Sequence, residues 1–196
     1  NALRLILLSE LEHFCARYPH VRIRLLNYSA PQAVKALENN IIDFAIVSTP
    51  VLVHKHMHQE KLVSYDEILL GGTKYKQFAQ QVHYLEDISE MPLIGLCEGS
   101  STHTHYSRFF MEHDLPFEPD MEAAMTDQVL PMITHNLGIG FYPKSLALEA
   151  IEKELVFPIE LTEPLPNRDV VVITNNHTPI NSAARRFLEF LLENRK

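Results

Sequence analysis

Cysteine is scarce in this sequence: Cys15 and Cys97 are the only two in 196 residues. A secreted disulfide framework uses more of them at closer spacing, so reduced thiols and a cytoplasmic location are expected. No run of eighteen apolar residues occurs, so nothing reads as a membrane span. Basic residues number 17 against 25 acidic ones, for a formal net charge of −8, and none gather into a stripe. Phosphate contact needs clustered positive charge, so direct nucleic-acid binding by these residues is not expected. Catalytic signatures are missing too: no G-x-S-x-G elbow, P-loop, G-x-G-x-x-G, H-E-x-x-H or C-x-x-C. Leu137-Gly-Ile-Gly140 is a turn before a strand, the wrong context for phosphate, and Asp43 and Asp66 have no argued proximity. The chain is therefore expected not to be an enzyme and to need no cofactor.

What remains is ordinary globular material, 46 % apolar and 21 % charged, long enough to bury a core without disulfides or metals. Leu3, Leu7, Leu11, Phe14 and Tyr18 form one apolar stripe, predicting a first helix that stops before Pro19. Val21, Ile23 and Leu25 alternate with Arg22 and Arg24, predicting a strand over residues 21–26. Ser29-x-x-Gln32 has the form of a capping box opening a short helix through Leu37. Asp43-Phe-Ala-Ile-Val47 reads as a buried strand ended by Ser48-Thr49-Pro50. Helix, strand, helix, strand predicts an α/β fold with a parallel sheet.

The order repeats later. Pro92-Leu-Ile-Gly-Leu-Cys97 reads as a strand, Gly99-Ser-Ser-Thr102 as a turn, and a helix follows to about His113. A strand over 118–123, a second helix capped by Thr126 and a short strand at Phe141-Tyr142 complete the set. Ser29 to Phe44 and Thr126 to Phe141 span the same fifteen positions. Two lobes of one design are expected: residues 1–71 with 168–196, and residues 72–167. Residues 68–72 and 170–174 are the predicted crossing strands, and the helix from Ser182 to Glu193 closes the first lobe. Paired crossings make a hinge with a cleft. The second half opens on a strand and the first on a helix, so a strand is expected upstream of Asn1.

These residues resemble the effector-binding domain of LysR-type transcription regulators. The matching stretches are Phe14-x-x-x-Tyr18-Pro19-x-Val21, Ala33 to Leu37 followed by Ile42-Asp-Phe-Ala-Ile-Val47, Gly138-x-Gly140-Phe-x-Pro143, and Asn181-Ser-Ala-Ala. The resemblance implies two Rossmann-like lobes joined by two crossover strands, of the periplasmic-binding-protein type II kind. It also implies a homodimer or tetramer, with DNA and RNA polymerase engaged only through a full-length protein carrying a winged helix-turn-helix. No residue here matches that head, its linker helix or the sensor's first strand, so no DNA contact is assigned.

Open α/β sheets take ligands beyond the carboxyl ends of their strands, where helix N-termini favour an anion. Ser48, Thr49, Ser100, Ser101, Thr102 and Thr126 fit that placement and are the expected effector-binding residues, with ordinary capping as the plainer role. Phe141, with Tyr142, is expected to form an apolar wall, or to be core. A small carboxylate is the expected effector. His54-Lys-His56-Met-His58 could ligate zinc or copper, but Lys55 and the lack of nearby cysteine favour a solvated hairpin, and no metal is assigned. Tyr106, Phe109, Phe110 and Met111, like the first helix, offer surplus apolar area, predicting an antiparallel two-fold dimer. The rivals are an extracytoplasmic solute receptor of a transporter and a lyase or dehydratase on the same lobes.

Overall fold

The computed structural model of the chain describes residues 1–193. Its helices are α1 (Leu8–Arg17), α2 (Ala30–Glu38), α3 (Leu85–Ser89), α4 (Ser101–Met111), α5 (Thr126–Thr134), α6 (Lys144–Glu152) and α7 (Ser182–Glu193). The strands are β1 (Ala45–Ser48), β2 (Met57–Tyr65), β3 (Glu67–Gly72), β4 (Val82–His83), β5 (Leu93–Leu96), β6 (Met121–Ala123), β7 (Ile139–Pro143), β8 (Val156–Leu161) and β9 (Arg168–Asn175). They divide into two compact units. Unit 1 holds residues 1–64 and those from Asp169 onward, and unit 2 holds residues 65–168.

Unit 1 carries a three-stranded sheet ordered β1-β9-β2. The parallel sheet expected here is not what forms: β9 runs against β1, with Ala45 opposite Ile173 and Ser48 opposite Val170. Residues 21–26 do not form the predicted strand. They alternate correctly but have no ladder, and Ile23, Leu25 and Leu26 stay exposed, because period-two patterning makes a strand only where a neighbour offers backbone partners. The first helix opens with a π-helical turn, Leu3–Leu7. That wider turn shifts the buried face, so Ala2 and Ile6 point inward while Leu3 is exposed. Phe14, 1 % exposed, then meets Tyr18, Phe187 and Phe190 at ring distances of 4.7, 5.0 and 5.7 Å, fastening α1 to α7. The capping box at α2 forms as the spacing predicts: Ser29 N–H donates to Gln32 Oε1 at 2.9 Å. Asn181 caps α7, accepting from Ala184 N–H at 2.9 Å, and its amide donates to Asp43 Oδ1 at 2.5 Å. The strand β2 has no clear sequence signal, since only Met57, Leu62 and Tyr65 of its nine residues are buried.

Unit 2 carries a six-stranded mixed sheet ordered β4-β8-β3-β7-β5-β6. Residues 68–72, read from the sequence as the first crossing, lie in β3, whose ladders run antiparallel to β7 and β8. Strand β5 is parallel to both β6 and β7. Adjacent residues serve opposite faces, which is why these strands read as unbroken apolar runs. Leu69 and Phe141 pack with Tyr106, Phe109 and Phe110 on one side, and Leu70 and Tyr142 with Ile94, Ile133 and Ala147 on the other. A Cβ on Gly72 would strike the Ile133 carbonyl, so this glycine lets α5 lie against β3. The apolar surplus expected for a dimer face on α4 is core instead: Tyr106, Phe109 and Phe110 are buried, and only Met111 is exposed. There they share one core with Leu93 of β5, with Ile139 and Phe141 of β7, and with Leu85 and Ile88 of α3.

Candidate functional site

Strands β5 and β6 are parallel neighbours, with Leu96 opposite Ala123, so their carboxyl ends share one edge of the unit 2 sheet. Helix α4 follows β5 and α5 follows β6, so both N-termini lie beyond that edge. Cys97 N–H bonds the Ala123 carbonyl at 3.1 Å and holds the two exits together. Here the structure brings together Ser100, Ser101, Thr102 and Thr126. Ser100 is the N-cap of α4, its Oγ accepting from His103 N–H at 3.1 Å. Ser101 and Thr102 are the first two helical residues, whose N–H groups have no carbonyl a turn earlier to bond. Thr126 is not the cap expected for α5. It is the first helical residue; Met125 precedes it, with its N–H donating to Gln128 Oε1 at 3.0 Å.

The wall residues sit deeper. Phe141 is 6 % exposed and stacks on Tyr106 at 4.2 Å with the rings 15° apart, while Tyr142 is buried on the opposite face. In unit 1, Ser48 ends β1, and its Oγ is buried without a hydrogen-bond partner among the described residues. Thr49 is held to β9 by two bonds: its N–H donates to the Asp169 carbonyl at 2.9 Å, and its Oγ1 accepts from Asp169 N–H at 3.0 Å. The Asp169 carboxyl has its pKa lowered, chiefly by the Ser64 hydroxyl that donates to it at 2.7 Å and also by Lys61 at 2.9 Å.

Sequence reasoning missed the charged heart of unit 2. Arg168 is 1 % exposed and pairs with Glu67, Nη1 to Oε1 at 3.2 Å and to Oε2 at 3.4 Å. The same Nη1 donates to Thr102 Oγ1 at 3.1 Å. The Tyr106 hydroxyl donates a short bond to Glu67 Oε2, and the Tyr65 ring lies 5.9 Å from the guanidinium carbon. Burial works to lower the Arg168 pKa, but Glu67 and the two tyrosines outweigh it and the pKa is raised. Burial and then Glu67 push the Tyr106 hydroxyl well above the usual phenol range. His105, one helical turn from Thr102 on α4, has its pKa lowered by burial and by Arg168, and its Nε2 is buried without a hydrogen-bond partner among the described residues. A signal existed: Glu67 and Arg168 are the charged residues opening two apolar strands, E-I-L-L and R-D-V-V-V.

The histidine run behaves differently from the hairpin expected for it. Only His58 lies in a strand, while His54, His56 and His177 stack with near-parallel rings at 5.7 and 4.7 Å. Stacked rings offer one another faces rather than nitrogen lone pairs. Among the described residues no group of three or more His, Cys, Asp or Glu is placed to hold a metal, and no helix is long and apolar enough to cross a membrane. A surface depression in unit 2, lined by Phe78, His83, Glu86, Asp87 and Glu90, includes none of the expected effector residues, and its carboxylates suit no anion.

The chain resembles the Synechocystis PCC6803 CcmR regulatory domain solved with 2-PG, with a TM-score of 0.86 at 15 % identity over 100 % of this chain and 93 % of that one. It also resembles the QuiR effector-binding domain solved with shikimate, with a TM-score of 0.82 at 15 % identity over 97 % and 90 %. These likenesses show the fold, the two-lobed periplasmic-binding-protein-like type II arrangement of LysR effector-binding domains. In sequence it is 22 % identical over 144 residues to the HTH-type transcriptional regulator GltR of Bacillus subtilis, which covers 74 % of this chain and 47 % of that protein. It is 20 % identical over 178 residues to the HTH-type transcriptional regulator YofA of Bacillus velezensis, covering 91 % and 59 %. The chain thus spans about half to three-fifths of the length of these relatives. The family model for the LysR substrate binding domain matches residues 2–196. The chain belongs to the LysR substrate binding domain family.

Proposed function

We propose that this chain senses a small anionic effector for a LysR-type transcription regulator. DNA and RNA polymerase are engaged only through the full-length protein, a cytoplasmic homodimer or tetramer. One observation carries the anion: two helix N-termini and four hydroxyl residues meet at one sheet edge, with the Thr102 hydroxyl backed by buried Arg168. In unit 2 the contacts fall to Ser100, Ser101, Thr102 and Thr126, with Phe141 supporting α4 from behind through Tyr106. Ser48 and Thr49 have the corresponding role in unit 1, where the unpartnered Ser48 hydroxyl is suited to a ligand acceptor. The effector acts by biasing a conformational or assembly equilibrium, a coupling of about 1–3 kcal/mol in such systems.

The effector-bound CcmR and QuiR domains, holding 2-PG and shikimate, support an acidic ligand class. A transporter's solute receptor is not favoured, since the curated relatives are HTH-type regulators. No catalytic acid or base is assigned at this edge, and the reading is of a binding module. Calorimetry against small carboxylates and phosphorylated acids, 2-PG and shikimate among them, tests it. Binding confined to neutral or cationic compounds would refute the anionic site.

A further inference from the structure

We infer that Arg168 and Glu67 are positioning residues for the anion site: the buried guanidinium fixes the Thr102 hydroxyl as a donor toward the bound anion without touching it. This rests on the functional reading above and deepens it. Three observations carry it. First, Arg168 Nη1 donates to Thr102 Oγ1 at 3.1 Å, and an ammonium or guanidinium group can only donate, so this bond occupies acceptor capacity on the oxygen. The hydroxyl hydrogen is left to point elsewhere, and donation from a cation makes it a stronger donor. Second, the guanidinium is sealed, with 1 % of its side chain exposed, so its influence reaches a ligand through Thr102 rather than as a surface charge. Third, Glu67 sits on the same Nη1, and the Tyr106 hydroxyl holds Glu67 in turn, so the carboxylate sets how much of the guanidinium's polarising power reaches Thr102. A hydroxyl locked as donor selects acceptor-rich ligands, carboxylates or phosphates, over ligands that present only N–H or O–H.

The test uses the 196-residue chain and inorganic phosphate, titrated while the backbone amides of Ser101 and Thr102 are followed by NMR. Variants are Thr102→Val, the apolar replacement Glu67→Met/Arg168→Met/Tyr106→Phe, their combination, Glu67→Gln and Arg168→Lys, each checked for folding by circular dichroism. Losing the ordered hydroxyl and its polarisation weakens phosphate about three- to ten-fold. Thr102→Val and the apolar replacement are expected to lose this amount each, and their combination no more than either alone. Arg168→Lys regains part of the loss. Glu67→Gln binds phosphate about two-fold more tightly, because a neutral amide no longer draws on the guanidinium; a merely structural role cannot raise affinity. Should the apolar replacement not fold, Glu67→Gln and Arg168→Lys decide alone. If phosphate moves neither amide in the unmodified chain, the anionic reading fails and this inference with it. If phosphate binds but unchanged affinity accompanies the apolar replacement or Glu67→Gln, the inference is overturned and the anionic reading stands.

Discussion

Replacing Arg168 by Met should strongly destabilise unit 2. The side chains of Arg168 and Glu67 are 1 % and 2 % exposed, so removing the guanidinium leaves a carboxylate buried with no cation beside it. Breaking a buried pair from one side costs about 3–5 kcal/mol. With a urea m-value of about 2 kcal/mol/M, the unfolding midpoint should fall by about 2 M. Glu67→Met added to Arg168→Met removes the stranded charge and recovers most of the loss. It does not recover all, because the Tyr106 hydroxyl, on a side chain 3 % exposed, then has no acceptor; a buried unmade bond of that kind costs about 1–3 kcal/mol. Adding Tyr106→Phe should bring stability back to within about 1 kcal/mol of the parent, as apolar replacement of a buried pair is often neutral. The sequence has no tryptophan, so far-UV circular dichroism at increasing urea is the practical readout. If Arg168→Met costs under about 1 kcal/mol, or if Tyr106→Phe recovers nothing on the double replacement, the network is not energetically coupled as drawn.

Three further outcomes follow from individual contacts. His105 has a folded-state pKa below its ordinary 6.5, so the folded chain binds fewer protons than the unfolded one just below that value. Its contribution is full above pH 6.5 and is lost as pH falls toward the folded pKa, at up to about 1.4 kcal/mol per pH unit. His105→Gln should therefore flatten the fall in stability between pH 7 and 5.5, and an unchanged pH slope would count against the half-buried, neutral imidazole. Phe14→Ala should cost about 3–5 kcal/mol in thermal or urea unfolding, since the ring is 1 % exposed and meets three other aromatic rings. Ser48→Ala should leave stability unchanged or slightly raise it, because the hydroxyl has no partner to lose, while weakening an anionic effector; a clear loss of stability would show that the oxygen is satisfied.

Much of the framework was legible because local chemistry and tertiary role agree. The Ser29 box, the apolar runs of β3, β5 and β9, and the closing helix at Ser182–Glu193 each form where their residues say. Where the reading failed, the missing information was about neighbours. Residues 21–26 have a strand's alternation and no ladder, since pattern states what a segment can do and not what lies beside it. Strand β2 is the converse: mostly exposed and polar, with three buried positions in nine, it is a strand because β9 is there to pair with it. The sense of pairing is equally non-local. Two similar apolar runs, β1 and β9, meet antiparallel, and nothing in either run fixes the direction of the other.

The site divides along the same line. Hydroxyls at helix starts could be read from Ser100 to Thr102 because capping is a local property of a few residues. The Arg168–Glu67 pair could not, because its members are 101 positions apart and each alone resembles a solvated charge at a strand end. What the sequence did carry was an incongruity, a charged residue opening a strand that runs into an apolar stretch, alone in E-I-L-L and beside Asp169 in R-D-V-V-V. Such a charge must either reach water or find a counter-charge, and the strand's burial closes the first route. Four groups then become mutually dependent: Thr102 accepts from Arg168, Arg168 neutralises Glu67, and Glu67 accepts from Tyr106. Removing Arg168 strands Glu67, and removing Glu67 strands Arg168 and the Tyr106 hydroxyl, whereas replacing Glu67, Arg168 and Tyr106 together restores stability and removes the donor behind Thr102. The stability of unit 2 and the polarity of its helix-end hydroxyl are therefore separable properties, and only the second requires the charges.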